Sequence, residues 1–231
     1  MKTIGLIGGM SWESTVSYYQ LINRGIKQHL GGLHSAKLLM YSVDFAEIEA
    51  LQHAGDWQKT AEILASAAQS LESGGADCVV ICTNTMHKVA PQVAASVSLP
   101  LIHIADATGQ KLSENSIETV GLLGTNFTME QSFYKGRIES EFGIQVVIPN
   151  QAERKIVHEV IYQELCLGKI EEASKREYLK IIDKLAAQGA QAVILGCTEI
   201  ALLVEQADTN VPLYNTTEIH AQAAIEFALS V

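Results

Sequence analysis

Residues 188–200 read Gln188-Gly189-Ala190-Gln191-Ala192-Val193-Ile194-Leu195-Gly196-Cys197-Thr198-Glu199-Ile200, an apolar strand that runs into a cysteine. A second stretch, Gly75-Ala76-Asp77-Cys78-Val79-Val80-Ile81-Cys82-Thr83-Asn84, aligns with residues 189–198 without a gap and sets Thr83 opposite Cys197. The repeat extends outward from there. Thr119-Val120-Gly121-Leu122-Leu123-Gly124-Thr125 replays Thr3-Ile4-Gly5-Leu6-Ile7-Gly8-Gly9, and Pro212-Leu213-Tyr214 replays Pro100-Leu101-Ile102. A period of about half the chain is too long for a solenoid repeat of roughly 20–50 residues, so it marks a domain duplication.

Short apolar runs predict strands at 3–8, 37–44, 77–82 and 100–104, then at 119–124, 145–148, 191–196 and 212–214. Helical periodicity is expected between them, over 12–26, 45–52, 57–72, 86–96 and from 105 to 112 in the first half. The second half is expected to be helical over 127–142, 153–167, 170–187 and 217–229. Strands alternating with helices at this rhythm predict an α/β fold of two pseudo-symmetric, doubly wound lobes, each a four-stranded parallel sheet flanked by helices. The polar stretch Ser113-Glu114-Asn115-Ser116 suggests a boundary there, giving an N-terminal lobe 1–113 and a C-terminal lobe 114–231. The closing helix has the option of packing back on the first lobe.

With 48% hydrophobic and 18% charged residues, the 231-residue chain can bury one large core or two small ones. Its 26 acidic residues outweigh 16 basic ones, and the basic residues are scattered, so nucleic acid and anionic membrane surfaces are poor partners. No apolar run approaches the roughly 20 residues of a membrane span, and Met1-Lys2-Thr3-Ile4-Gly5 reads as a strand start rather than a signal peptide. The expected location is the cytoplasm. The four cysteines lack metal-finger spacing, the seven histidines include no pair with metal-ligand spacing, and the expectation is reduced thiols with no metal.

In open α/β sheets, ligands sit beyond the carboxyl ends of the strands, so the loops after corresponding strands are expected to meet at one inter-lobe cleft. Two small protic groups facing each other, one from each lobe, suit a reaction at a stereocentre attacked from both faces. Racemisation is that reaction: one group removes the α-proton and another delivers a proton to the opposite face. Free cysteine titrates near about 8.5 and falls beside positive charge or a helix N-terminus, so Cys197, ahead of a predicted helix, is expected to gain from the helix dipole.

The chain resembles the cofactor-independent aspartate/glutamate racemase family. The resemblance covers essentially the whole chain and is carried by Gly8-Gly9-Met10-Ser11-Trp12-Glu13-Ser14-Thr15, Asn84-Thr85-Met86-His87, Leu123-Gly124-Thr125 and Gly196-Cys197-Thr198-Glu199. It implies two flavodoxin-like lobes with the site between them, no pyridoxal phosphate, a two-base mechanism with paired cysteines, a small amino-acid substrate, and often a homodimer. The family's first motif is Cys-Asn-Thr, whereas this chain reads Thr83-Asn84-Thr85, so one expected thiol is missing. The internal repeat identifies the same position independently. A threonine hydroxyl is too weak an acid to supply a standing base, although it can relay a proton. The expected catalytic pair is therefore Cys197 with Thr83, and activity is expected to be lopsided between L and D substrates, with Cys197 working on the L enantiomer.

Asn84, Thr85, Thr198 and Thr125 are expected to hold the substrate's carboxylate and ammonium, with Met10, Ser11 and Glu199 completing the site. The loop after the second strand holds no arginine or lysine for an acidic side chain, which leaves Gln52 as the polar candidate and keeps a neutral amino acid such as homoserine open. Cys78, Cys82 and Cys166 are read as core filler. Gly8-Gly9 lacks the Gly-x-Gly-x-x-Gly pattern and is not read as a nucleotide site. His87 either orients the site or caps a helix, and His103 and His220 are structural. The rivals are a one-cysteine decarboxylase or cis-trans isomerase of the same superfamily, and an amino-acid-binding protein that has lost catalysis.

Overall fold

The structure, a computed structural model, describes residues 1–230. The order of elements is β1 (Ile4–Gly8), α1 (Trp12–Leu30), β2 (Leu38–Ser42), α2 (Phe45–Ala54), α3 (Trp57–Ser73), β3 (Cys78–Ile81), α4 (Ala90–Ala95), β4 (Leu101–Ile102) and α5 (Ile104–Glu114). The chain continues through β5 (Thr119–Gly124), α6 (Asn126–Glu130), α7 (Lys135–Phe142), β6 (Gln145–Val147), α8 (Gln151–Gln163) and α9 (Glu172–Ala187). It ends with β7 (Ala192–Gly196), α10 (Ile200–Leu203), β8 (Leu213–Asn215) and α11 (Thr216–Leu229), and short 3-10 turns span Thr85–Val89, Leu165–Leu167 and Gln206–Asp208. As expected, there are two four-stranded parallel sheets, ordered β2-β1-β3-β4 and β6-β5-β7-β8. Among the described residues no helix is long and apolar enough to cross a membrane.

The sequence repeat is also a repeat of register. Ile4 pairs with Cys78 in the first sheet as Val120 pairs with Ala192 in the second, and Val79 pairs with Leu101 as Val193 pairs with Leu213. Even the strand entries match. The backbone N–H of Thr3 donates to Asp77 Oδ2 (2.6 Å), and that of Thr119 donates to Gln191 Oε1 (3.0 Å), so the residue before each third strand ties down the first.

In unit 1, Ile4, Leu6, Val80 and Cys82 pack on Tyr18, Ile22 and Ile26 of α1 and on Ala221, Ala224 and Ile225 of α11. The other sheet face, with Ile7, Val79 and Ile81, is covered by Ile48, Leu64, Ala67 and Leu71 from α2 and α3. β1 and β3 are buried on both faces, which is why they carry almost no polar residues, whereas the outer strand β2 is exposed from Met40 to Ser42.

The compact division falls at Ile104/Ala105 rather than at 113/114, and the segment from His220 onward belongs to unit 1. The physical reason is α5, which is built into unit 2. The ring of Phe142 lies so close over Gly109 that a Cβ there would be 2.3 Å from it, Tyr134 donates to Thr108 Oγ1 (3.3 Å), and Arg137 grips Asp106 through Nε and Nη2.

Three expected helices are interrupted, the one over 153–167 simply ending as α8 at Gln163 ahead of the 3-10 turn Leu165–Leu167. The 127–142 segment breaks at Gln131, whose backbone is extended, into α6 and α7. Met129 and Tyr134 are both fully buried, and five residues along one helix would point them about 140° apart; the break lets both face the core. Residues 85–89 form a 3-10 turn ahead of α4 because Pro91 offers no N–H and its ring would clash with the carbonyl of His87 in a continuous α-helix.

Candidate active site

The motif Gly8–Thr15 is largely a backbone device. A Cβ on Gly8 would lie 2.4 Å from Thr15 Cγ2, and Gly9, at φ 89°, lies where a Cβ would be 2.2 Å from Val43 O. Thr15 Oγ1 accepts from Gly9 N–H (2.8 Å) and donates to Ser11 O (2.9 Å), while Ser11 Oγ caps α1 by accepting from Ser14 N–H (3.3 Å). Ser14 Oγ also reaches Cys82 O (3.3 Å), so this loop is locked to the end of β3. In unit 2, Thr125 does Ser11's work at the start of α6, accepting from Thr128 N–H (3.3 Å).

Thr83 follows β3 and is partly buried; the side chains of Asn84 and Thr85 beside it are buried. His87 fixes the turn. Its Nδ1 lies 2.8 Å from Thr83 O, and its Nε2 lies 3.2 Å from the N–H of Ile104. A carbonyl only accepts and an amide N–H only donates, so the ring is neutral with its proton on Nδ1. Burial above all, then the neighbouring His103 and His220, lowers its pKa well below the usual histidine range. The ring centroids of His103 and His220 stand 4.6 and 5.5 Å away. His220 bridges Tyr18 Oη (2.8 Å) and Ile102 O (2.7 Å), and burial lowers its pKa to about 4. Sequence reading left His87 between two roles and made His103 and His220 structural; the fold joins all three in one cluster.

Cys197 follows β7 and is partly buried. Its Sγ–H donates to Glu199 Oε2 at 2.9 Å, a contact between i and i+2 that exists because the backbone turns here, with Ile200 N–H donating to Cys197 O (3.1 Å). The expected help from a helix dipole is corrected: α10 has four residues, begins three positions later, and the thiol's pKa is raised well above its ordinary value. Burial is the main cause, followed by the negative charge of Glu199 and by Cys166. Cys197 rests as a neutral thiol aimed at a carboxylate.

The remaining thiols differ. Cys78 and Cys82 are fully buried in the core of unit 1, where burial raises Cys78 to about 12 and Cys82 further, so Cys82 does not stand in for the missing base at position 83. Cys166 is only partly buried rather than core, and it adds to the effect of burial in raising Cys197 and the buried Tyr178, whose hydroxyl donates to Val157 O (2.8 Å). Cys166 and Tyr178 lie 31 and 19 residues before Cys197, and no spacing signal in the sequence ties them to it.

Met10, Ser11, Gln52, Asn84, Thr85, Thr125, Thr198 and Glu199 are all buried, at 2–8% exposure, whereas Thr83 and Cys197 are more open. Buried polar groups at strand ends are costly unless paired, which marks these turns as more than loop surface. Gln52 Nε2 lies 3.0 Å from Met86 Sδ, which joins α2 to the Thr85–Val89 turn within unit 1. A recess of about 530 Å³ opens in unit 2 beside the starts of α6 and α8, lined by Asn126, Glu130, Gln151, Ala152 and Lys155; it contains none of the residues expected from sequence.

The profile of the Asp/Glu/Hydantoin racemase family matches residues 7–224. The chain belongs to this family. A Yersinia pestis crystal structure, provisionally designated an Asp/Glu racemase, is 55% identical and superposes with a TM-score of 0.94 over 100% of both chains. An aspartate racemase homologue from Pyrococcus horikoshii OT3 is 34% identical, with a TM-score of 0.85 over 100% of both chains. The broad specificity amino-acid racemase RacX of Bacillus subtilis is 20% identical over 98% of each chain.

Proposed function

We propose that the protein is a racemase of aspartate or glutamate that works by α-proton exchange without pyridoxal phosphate, with Cys197 as the group that deprotonates the L enantiomer. The observation that carries this reading is the 2.9 Å contact from Cys197 Sγ to Glu199, placed after β7 at the position that Thr83 holds after β3. A neutral thiol cannot accept a proton, so the thiol proton must first leave, and Glu199 is the acceptor within reach. The α-ammonium of a bound amino acid supplies a positive charge that offsets Glu199 and favours the thiolate. The thiolate then takes the α-proton. The carbanion is protonated on its other face by water or by a relay through Thr83, and Glu199 returns its proton to solvent.

This assignment moves Glu199 from substrate holding to proton handling. Asn84, Thr85 and Thr198, with the backbone turns that Ser11 and Thr125 cap, are left to hold the substrate's charged groups. Aspartate and glutamate are favoured by the family to which the chain belongs; the lack of a cation in the loop after β2 keeps homoserine as the comparison substrate.

The test is α-hydrogen exchange followed by NMR in deuterated water, with both enantiomers of aspartate, glutamate and homoserine. Exchange of L-aspartate or L-glutamate faster than of the D enantiomer, lost in Cys197→Ala, is expected. Equal exchange of the two enantiomers would remove the asymmetry, and exchange surviving the substitution would remove Cys197 from the chemistry.

A further inference from the structure

One buried hydroxyl in unit 2 stands outside its hydrogen-bond network. Thr217, in the first turn of α11, is 2% exposed, and its Oγ1 has no hydrogen-bond partner among the described residues. A hydroxyl taken out of water without a partner destabilises the fold, so its retention needs a reason. Its neighbours complete the turn without it. Thr216 Oγ1 donates to Leu195 O (2.9 Å), which ties α11 to β7, and Asn215 Oδ1 accepts from Thr217 N–H (3.1 Å).

The duplication shows what the scaffold itself requires at this position. β4 pairs with β3 as β8 pairs with β7, with Leu101 corresponding to Leu213. Counting on from that correspondence sets Thr217 opposite Ala105, which is fully buried and has no polar atom in its side chain. A methyl group therefore suffices after β4, whereas a hydroxyl is kept after β8.

The hydroxyl also lies at the edge of the sheet where Cys197 stands. Leu195 pairs with Asn215 in parallel, and Cys197 and Thr217 are each two residues beyond that pair, past the ends of β7 and β8. Thr217 is as enclosed as Asn84 (2%) and Thr198 (8%), two of the side chains assigned to the substrate. α11 is 14 residues long, so its first turn offers backbone N–H groups and the positive end of a helix dipole, and the acidic residue of that turn, Glu218, is exposed. A hydroxyl donor at a helix N-terminus suits an anion.

We propose that the first turn of α11 is the seat of the substrate's side-chain carboxylate, with Thr217 Oγ–H as its donor. This seat holds an acidic side chain without the lysine or arginine that the loop after β2 lacks, and it leaves Asn84, Thr85 and Thr198 to the α-carboxylate and ammonium. The proposal rests on the racemase reading for the identity of its ligand, and it extends that reading by favouring a dicarboxylic amino acid over homoserine.

The test is binding of two unreactive probes by NMR titration of the full chain: succinate, which has two carboxylates, and propionate, which has one. Wild type is expected to bind succinate at least about 10-fold more tightly. Thr217→Val, which keeps the shape and removes the hydroxyl, should weaken succinate by about 10-fold or more and leave propionate unchanged, while Thr217→Ser should keep the preference. The same Thr217→Val should raise Tm by about 2–4 °C, because a buried hydroxyl without a partner is gone. A wild type that binds both probes alike overturns the proposal, as does a Thr217→Val variant that binds succinate like wild type; a fall in its Tm with unchanged binding would assign the hydroxyl to a buried water. α-Hydrogen exchange of L-aspartate separates this from the racemase reading. Exchange by wild type with succinate binding indifferent to Thr217→Val sinks the seat alone, and a lost succinate preference with no exchange of any amino acid sinks the racemase alone.

Discussion

After β3 the chain of unit 1 presents Thr83, whose carbonyl is held by a neutral, buried histidine. After β7 the chain of unit 2 presents Cys197, whose thiol points at a carboxylate. The two turns have the same place in matching sheets, down to the register of the strands beneath them. One turn has its backbone held still by a histidine, and the other sets a thiol against a carboxylate, which under the proposed function moves a proton. Duplication supplied the same scaffold twice, and the two turns differ in the side chains just past the strand ends.

The largest expected effect comes from removing the acid/base side of this pair. Cys197→Ala should lower exchange of the L enantiomer by about 10³-fold or more, the upper part of what a positioned acid or base contributes. Thr83→Ala should cost far less in the same direction, because a hydroxyl relay can be replaced by water. If the two alanine variants lost equal activity toward the L enantiomer, the functional difference between the turns would be refuted.

Next is a gain. Thr83→Cys gives unit 1 the thiol that the family motif carries, and exchange of the D enantiomer should rise by about 10²-fold with little change for L. The gain has a physical ceiling, since no carboxylate corresponding to Glu199 follows position 83: the residues there are Asn84 and Thr85. Adding Thr85→Glu to Thr83→Cys would sharpen the comparison by testing whether the carboxylate or the thiol limits the turn.

Glu199→Gln should lower turnover by about 10-fold or more, since the thiol then has no charged acceptor. The thiol's own pKa should fall, because the negative charge that helps to raise it is gone while burial remains. Thiolate absorbance or alkylation rate against pH reads this directly. A lower thiol pKa together with lower turnover separates proton acceptance from simple holding of substrate; an unchanged pKa would mean that Glu199 does not act on Cys197.

The sheets and their repeat were legible because strands buried on both faces must be almost wholly apolar, and this leaves runs that cannot be mistaken for surface. The position of Cys197 was legible for the same reason, as the first reactive residue past such a run. Its protonation was not. Local sequence suggested a helix dipole, but the dominant influences are burial and a carboxylate brought round by a tight turn, together with Cys166 from a distant turn. The Gly8–Thr15 motif was legible as a signature, whereas the backbone network among Gly9, Ser11, Ser14 and Thr15 was not, because it depends on how the loop folds over the start of α1. The break at Gln131 and the seat of α5 in unit 2 depend on which side chains meet across the core, and periodicity along one helix carries no record of that.

The smallest expected effect tests the structural side of the comparison. The pKa of His220 is lowered to about 4 in the folded chain, against about 6.5 when unfolded, so the unfolded chain takes up a proton first as pH falls. Stability from this group is complete above about pH 6.5 and is lost progressively down to about pH 4, by on the order of 3 kcal/mol in total. His87, lowered for the same reason, acts in the same direction. Urea unfolding between pH 5 and 7 isolates the histidines from most carboxylates, and stability should rise with pH across that range. His220→Gln, which can still accept from Tyr18 and donate to Ile102 O, should flatten the slope while leaving the thiol titration of Cys197 where it was. His87 carries the remaining slope, so a slope undiminished by this substitution would assign the pH dependence elsewhere, and a shift in the Cys197 titration would show that His220 acts on that thiol.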